Sequence, residues 1–321
     1  MPPENDRTLA TTFRRPEFIP VEVSLLPATW IKYRHDLEAL VRRHPIIFGD
    51  FKGRDYDAVG GTYVAGTHVD DWGCVWTNIR TGMEAMVKHH PVPTRQDVHK
   101  LRAPRKITGE FKHGFMYLRL ADLRGFEELM IDFAEEPPEL RMLIDIVLDY
   151  NVRQLRKLLE KRTGPGMLYF GDDLGTQRGL AMGPHKWRKY LKPCFARLYG
   201  MCHEAGFAVY MHTDGGIHEI IPDLIECGVN VINPQIRANG LDNLVRACRG
   251  KVCVNLDLDR QLFPFATPRQ IDDHIRQAVD SLGSPQGGLW LAAECAPDVP
   301  LDNIEAICVA LERYRGRFRD R

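Results

Sequence analysis

No run of about 18 apolar residues occurs anywhere in the sequence, so no membrane-spanning helix is expected. The start of the chain, Met1-Pro-Pro-Glu-Asn-Asp-Arg7, is polar and lacks the apolar stretch of a secretory signal. The eight cysteines, at positions 74, 194, 202, 227, 248, 253, 295 and 308, include no CxxC pair, which excludes a zinc ribbon and gives no disulfide framework. A reduced, cytoplasmic protein is the expectation. Charge of one sign is lacking as well: 43 Lys and Arg face 43 Asp and Glu, so there is no global electrostatic footprint for nucleic acid or an acidic membrane. The basic run Lys186-Trp-Arg-Lys189 reads as a solvated helix face. No GxGxxG follows the first apolar strand, which removes the commonest form of dinucleotide binding. No coiled-coil seam is visible, and monomer and homodimer both remain open.

What is present is size, apolar content and rhythm. With 321 residues and 44% apolar side chains the chain can fill one large core, and it suits a single (β/α)8 barrel domain. Residues 1–16, with prolines and charges and no period, read as a loose arm. A short strand is expected at 18–23 and a helix at 28–43, where Trp30, Tyr33, Leu37 and Val41 recur at helical spacing. Residues 44–105 are rich in glycine and aromatics and read as a lid inserted within the barrel. Beyond them apolar runs alternate with helical ones. Strands are expected at 115–120, 166–173, 207–211, 229–232, 251–256 and 288–293. Helices are expected at 125–134, 138–162, 184–205, 217–227, 241–249, 268–282 and 301–315, several entered by proline. With the lid region counted once the strands number eight, which argues for an α/β TIM barrel over an open doubly wound sheet.

In such a barrel, reacting groups stand where strands end, because the loops there converge on one mouth. Those positions hold Asp172 and Asp173, His212 and Asp214, Asn233 and Gln235, Asn255, Asp257 and Asp259, and Glu294 with Cys295. Each has an ordinary structural reading: a hydrogen-bonded histidine, a helix-capping aspartate, a buried thiol that acts as a small apolar group. Together, an imidazole, a carboxylate two residues on and a thiolate on a later strand make a tetrahedral zinc site with one open position. Such a metal acts as a Lewis acid on a heteroatom of substrate. Asp173 and Asp257 are candidates to protonate or orient a leaving oxygen, and Asp71 offers a further carboxylate at the tip of the lid. Trp72, Trp76, Tyr63 and Tyr210 could wall an aromatic substrate, with Asn233, Gln235 and Asn255 as polar contacts, although aromatics there are also core material.

Four stretches resemble the uroporphyrinogen decarboxylase superfamily, which holds tetrapyrrole decarboxylases and zinc-dependent methyltransferases that work with corrinoid proteins. They are Gly125-Phe-Glu-Glu-Leu129 with Glu135-Glu-Pro-Pro-Glu-Leu140, Gly171-Asp-Asp-Leu-Gly-Thr-Gln177 with Trp187-Arg-Lys-Tyr-Leu-Lys-Pro193, His212-Thr-Asp-Gly-Gly216 with the segment 221–234, and Cys295-Ala-Pro-Asp-Val-Pro-Leu-Asp-Asn-Ile304. The likeness covers roughly residues 105 to 315 and implies the barrel fold. The Met-Arg-Gln-Ala-Gly-Arg segment with which the decarboxylases grip substrate carboxylates is lacking, which counts against porphyrinogen chemistry.

The methyltransferase branch, with His-x-Cys on one strand end and a second Cys near the last strand, is the better match. His212 falls on its histidine, Cys295 on its second cysteine, and Asp214 replaces the first cysteine. The resemblance thus implies zinc held by His212, Asp214 and Cys295, with Glu294 as an alternative ligand. A carboxylate in place of a thiolate leaves the zinc harder and better suited to an ether oxygen. The implied activity is transfer of a methyl group from a small methoxylated, aromatic donor to the cobalt of a corrinoid (cobalamin) carried by another protein, since this chain has no corrinoid-binding Asp-x-His-x-x-Gly segment. A metal-independent decarboxylase or lyase of a small acid and a non-catalytic ligand-binding barrel are the two rivals.

Overall fold

Apolar runs of four to seven residues form six strands of one sheet in the computed structural model, which describes residues 5–162 and 164–319. They are β1 (Val21–Leu25), β2 (Gly166–Gly171), β3 (Phe207–Thr213), β4 (Val231–Pro234), β5 (Cys253–Asp257) and β6 (Leu289–Cys295). The strands β4 and β5 are buried at every position, as expected where helices cover both faces of a parallel sheet. By contrast, β3 alternates strictly between buried and half-buried residues, so Tyr210 and His212 share its more open face.

The chain forms two compact units. One takes residues up to Gly66, residues 78–85 and residues from Asn233 on. In it β6 pairs in parallel with β1, Leu25 opposite Cys295, and with β5, Val254 opposite Leu289. Helices Leu241–Cys248, Pro268–Leu282 and Leu301–Tyr314 separate or follow these strands. Pro268–Leu282 starts where the sequence places it, because Thr267 and Gln270 form a capping box ahead of Pro268. The other unit takes Thr67–Thr77 and Met86–Ile232. Here β2 pairs in parallel with β3 over six positions, from Gly166 opposite Phe207 to Gly171 opposite His212. Beneath that pair lies an aromatic cluster in which Phe170 meets Phe111, Phe115 and Tyr199 at ring distances of 5.0, 5.5 and 5.2 Å. Each fully buried ring such as that of Tyr199 contributes about 2–3 kcal/mol through its apolar area.

Four expectations are corrected. Residues 115–120 form no strand; a helix, Tyr117–Arg124, begins there. An apolar run this short does not distinguish strand from helix, and the Asp172 carboxylate decides it by accepting from the backbone N–H groups of Met116, Tyr117 and Leu118 at 3.1, 2.5 and 2.9 Å. The main sheet counts six strands among the described residues, not eight, because residues 115–120 give no strand and the strands of the segment 44–105 form a separate sheet. The long helix expected at 184–205 breaks at Leu191 into Gly183–Tyr190 and Lys192–Glu204, with Pro193 in the first turn of the second. Finally, the described part of the N-terminal arm is ordered. Helix Asp6–Thr11 is capped by Asn5, Ala10 is fully buried, and its carbonyl accepts from Gly288 N–H at 2.9 Å. Residues 1–4 lie outside the described residues. The segment read as a lid carries three short strands, Gly66–Val69, Val75–Asn78 and Met86–His89, the last two antiparallel.

Candidate metal centre

The parallel register that sets Gly171 opposite His212 also fixes the loop after each strand. Asp172 N–H donates to the His212 carbonyl at 3.0 Å, and beyond it the two chain segments stay zipped together. Leu174 N–H donates to Thr213 Oγ1, Gly175 N–H to the Asp214 carbonyl and Gly216 N–H to the Thr176 carbonyl, at 3.0, 3.1 and 2.8 Å. The approach is close enough to require glycine. A Cβ on Gly215, whose φ is +83°, would stand 2.2 Å from the Gly175 carbonyl carbon.

This zip brings Asp173 beside His212 and Asp214. Asp214 N–H donates to Asp173 Oδ1 at 3.0 Å, and His212 Nε2 lies 3.4 Å from Asp214 Oδ1 and 3.6 Å from Asp173 Oδ1. A second imidazole completes the cluster: His113 Nε2 is 3.0 Å from Asp173 Oδ2, and its ring centre is 5.5 Å from that of His212. One ligand atom from each of His113, Asp173 and His212 lies within 4.8 Å of the others. The side chains remain accessible, at 49, 28 and 30%. Burial opposes protonation of His113, but the hydrogen bond and charge of Asp173 outweigh it and hold its pKa above the usual value. Burial pushes the Asp172 carboxyl up to about 7, against the pull of the N–H groups it caps. Nearby, burial raises Asp122 to about 6, although Arg119 at 3.6 Å favours its ionised form.

His113 is the member that the sequence does not announce. It stands outside any periodic element, between Lys112 and Gly114, and the only cue is that Gly171 leaves room for it: a Cβ there would lie 2.5 Å from His113 Nδ1.

The other expected site residues are divided between the two units. In the same unit as the cluster, Tyr210 is half-buried with its ring 4.9 Å from that of Tyr169. Asp71 is exposed, whereas Trp72 is 8% exposed and packs edge-on against Tyr150. Its neighbour Asp70 accepts from Trp76 Nε1 at 3.1 Å and Arg119 Nη1 at 2.7 Å. In the first unit, Asn233 Nδ2 donates to the Asn255 carbonyl at 2.6 Å, and Asn255 Nδ2 to Glu22 Oε1 at 2.8 Å. Gln235 bridges Asp257, which is 6% exposed. Glu294 accepts from Arg260 Nη1 at 2.6 Å. Cys295 is fully buried, and burial pushes its thiol up to about 12.

The model of the uroporphyrinogen decarboxylase (URO-D) family matches residues 117–314. Among solved structures, a methyltransferase from Methanosarcina mazei superposes with a TM-score of 0.62 at 16% identity, covering 96% of this chain and 98% of that one. A B12-independent methionine synthase from Shewanella sp. W3-18-1 superposes with a TM-score of 0.41 at 13% identity, covering 81% of this chain and 75% of that one. The first likeness is one of fold. No curated protein matches. Among the described residues no helix is long and apolar enough to cross a membrane.

Proposed function

The chain belongs to the uroporphyrinogen decarboxylase family, and from that premise we propose that it is a methyltransferase that moves a methyl group from a small methoxylated aromatic donor to the cobalt of a corrinoid on a separate protein. The observation that carries this reading is the accessible His212 imidazole with the carboxylates of Asp173 and Asp214 within 3.6 Å of its Nε2 at the strand ends. That nitrogen and oxygen donor chemistry fits zinc. His212 anchors the metal in this reading. Of the further donors that the sequence suggests, Asp214 lies 3.4 Å from it and Glu294 is partly exposed, whereas Cys295 is fully buried with its thiol pushed up to about 12, which disfavours a thiolate ligand. Bound there, zinc supplies Lewis-acid polarisation of the ether oxygen of the donor.

The protein's own residues supply the rest. Tyr210, on the same face of β3 as His212, offers an aromatic wall for the donor ring. Asn233, Gln235 and Asn255 are proposed to orient the donor, and Asp71 and Trp72 belong to the segment 44–105 proposed to cover it. When the methyl carbon leaves, the phenolic oxygen takes a proton, for which Asp257 is the proposed source, and Asp173 is proposed to orient that oxygen. A cytoplasmic location and, as one option, a homodimer complete the proposal.

The test is to incubate the purified protein with methoxylated aromatics and cob(I)alamin or a corrinoid protein. The expected result is a demethylated phenol together with the spectrum of a methylated corrinoid, abolished by chelation and restored by zinc. Decarboxylation of a small acid with no metal requirement would replace this reading by the lyase alternative. A tightly bound ligand without turnover would replace it by a binding role.

A further inference from the structure

We propose that the metal takes His113 and Asp173, together with His212, as its protein ligands, a two-imidazole, one-carboxylate set contained in a single unit of the fold and needing no thiolate. The inference rests on the metal-dependent reading above and names the site's ligands within it. Its first support is convergence: these three side chains bring one donor atom each within 4.8 Å of one another while remaining partly open to solvent, which leaves a coordination position for substrate. Two imidazoles and one carboxylate with an open position form a known catalytic zinc arrangement.

The second support is that the His113 loop is built into place from four directions. Phe111 and Phe115, on either side of the histidine, both pack on Phe170, at 5.0 and 5.5 Å between rings. Gly114 N–H donates to the Gly171 carbonyl at 2.7 Å. The buried Asp172 carboxylate caps the helix that starts directly after the loop. Gly171 supplies the gap that the imidazole fills. On the other side, the Asp214 N–H holds Asp173 Oδ1 and so turns Oδ2 towards His113. His113 lies just before the stretch 117–314 matched by the family model, whereas Asp173 and His212 lie within it. Chemically, one carboxylate and two neutral imidazoles leave zinc with a net charge of +1, harder than a thiolate-bearing centre and matched to an oxygen leaving group.

Metal content and affinity by competition with a chelator, and the absorption spectrum of the cobalt(II)-substituted protein, test the assignment without requiring turnover. His113→Ala should bind zinc at least ~10-fold more weakly, in the range reached by loss of a metal-site partner or worse. His113→Gln, at a half-exposed position, serves as a second variant, with circular dichroism showing that both are folded. Gly171→Ala should weaken the metal in the same direction by displacing the imidazole. Cys295→Ala should keep wild-type affinity, and the cobalt spectrum should lack a thiolate-to-metal charge-transfer band. Wild-type affinity in both folded His113 variants, or a charge-transfer band that disappears in Cys295→Ala, overturns this ligand set while leaving a metal enzyme in place. A wild-type protein that binds neither zinc nor cobalt overturns the metal-dependent reading itself.

Discussion

The two units of the fold end their apolar strands on polar residues in the same way, yet those residues have different surroundings. In the unit built on β5 and β6, Asn233 and Asn255 are tied into side-chain hydrogen bonds, Glu294 meets Arg260, and Cys295 is sealed from solvent. In the unit built on β2 and β3, an imidazole at each side of Asp173 stays accessible, and the backbone around them is zipped so tightly that only glycine fits. Polar strand ends are therefore not equivalent. The ones that suit chemistry are those where the backbone has been fixed at a steric cost and the side chains have been left open.

That contrast can be broken most severely at the zip. Gly215→Ala places a Cβ against the Gly175 carbonyl at a residue with φ of +83°, and backbone cannot move aside as a side chain would. A loss of ~3 kcal/mol or more in denaturant unfolding is expected, together with loss of the site. Little change would show that the two loops are not locked together.

Next in size is Asp172→Ala, which leaves the Met116, Tyr117 and Leu118 N–H groups without their carboxylate acceptor. A loss of about 2–3 kcal/mol is expected, with faster hydrogen exchange at those three amides. Unchanged exchange there would dissociate the cap from the His113 loop.

Asp122 gives a smaller, pH-dependent effect in the same unit. Burial holds its carboxyl at about 6, above an unfolded value of about 4, so the folded state binds the extra proton. Its contribution to stability is complete below about pH 4 and is lost as pH rises through about 6. Asp122→Asn should flatten the unfolding midpoint across that window, and an unaltered slope would count against the burial argument. The smallest effect belongs to the other unit. Glu294→Gln removes only a partly exposed pair with Arg260, 31 and 30% accessible, and should shift stability by less than about 1 kcal/mol. A larger loss would mean that Glu294 carries structure that the ion pair does not explain.

Much of this architecture is legible in the sequence. The strands β2 to β6 and helices such as Phe126–Glu135, Pro138–Glu160 and Pro268–Leu282 fall within a few residues of the apolar runs, prolines and caps that announce them. His212, Asp214 and Asp173 are legible for the same reason, since each stands where an apolar run stops. The sequence misreads residues 115–120 because their apolar character is local while the Asp172 cap that makes them helical comes from 55 residues away at Tyr117. It misses His113 for a related reason: the histidine owes its place to rings at Phe111, Phe115 and Phe170 and to an absent Cβ at Gly171, none of which forms a spacing pattern along the chain.

The central claim is that the accessible imidazole at the end of β3 anchors a catalytic metal. It is tested most directly by elemental analysis of the purified protein beside its His212→Ala variant. About one zinc per chain in the wild-type protein and its loss from a folded variant is the predicted result; no zinc in either, or the same amount in both, would contradict the account.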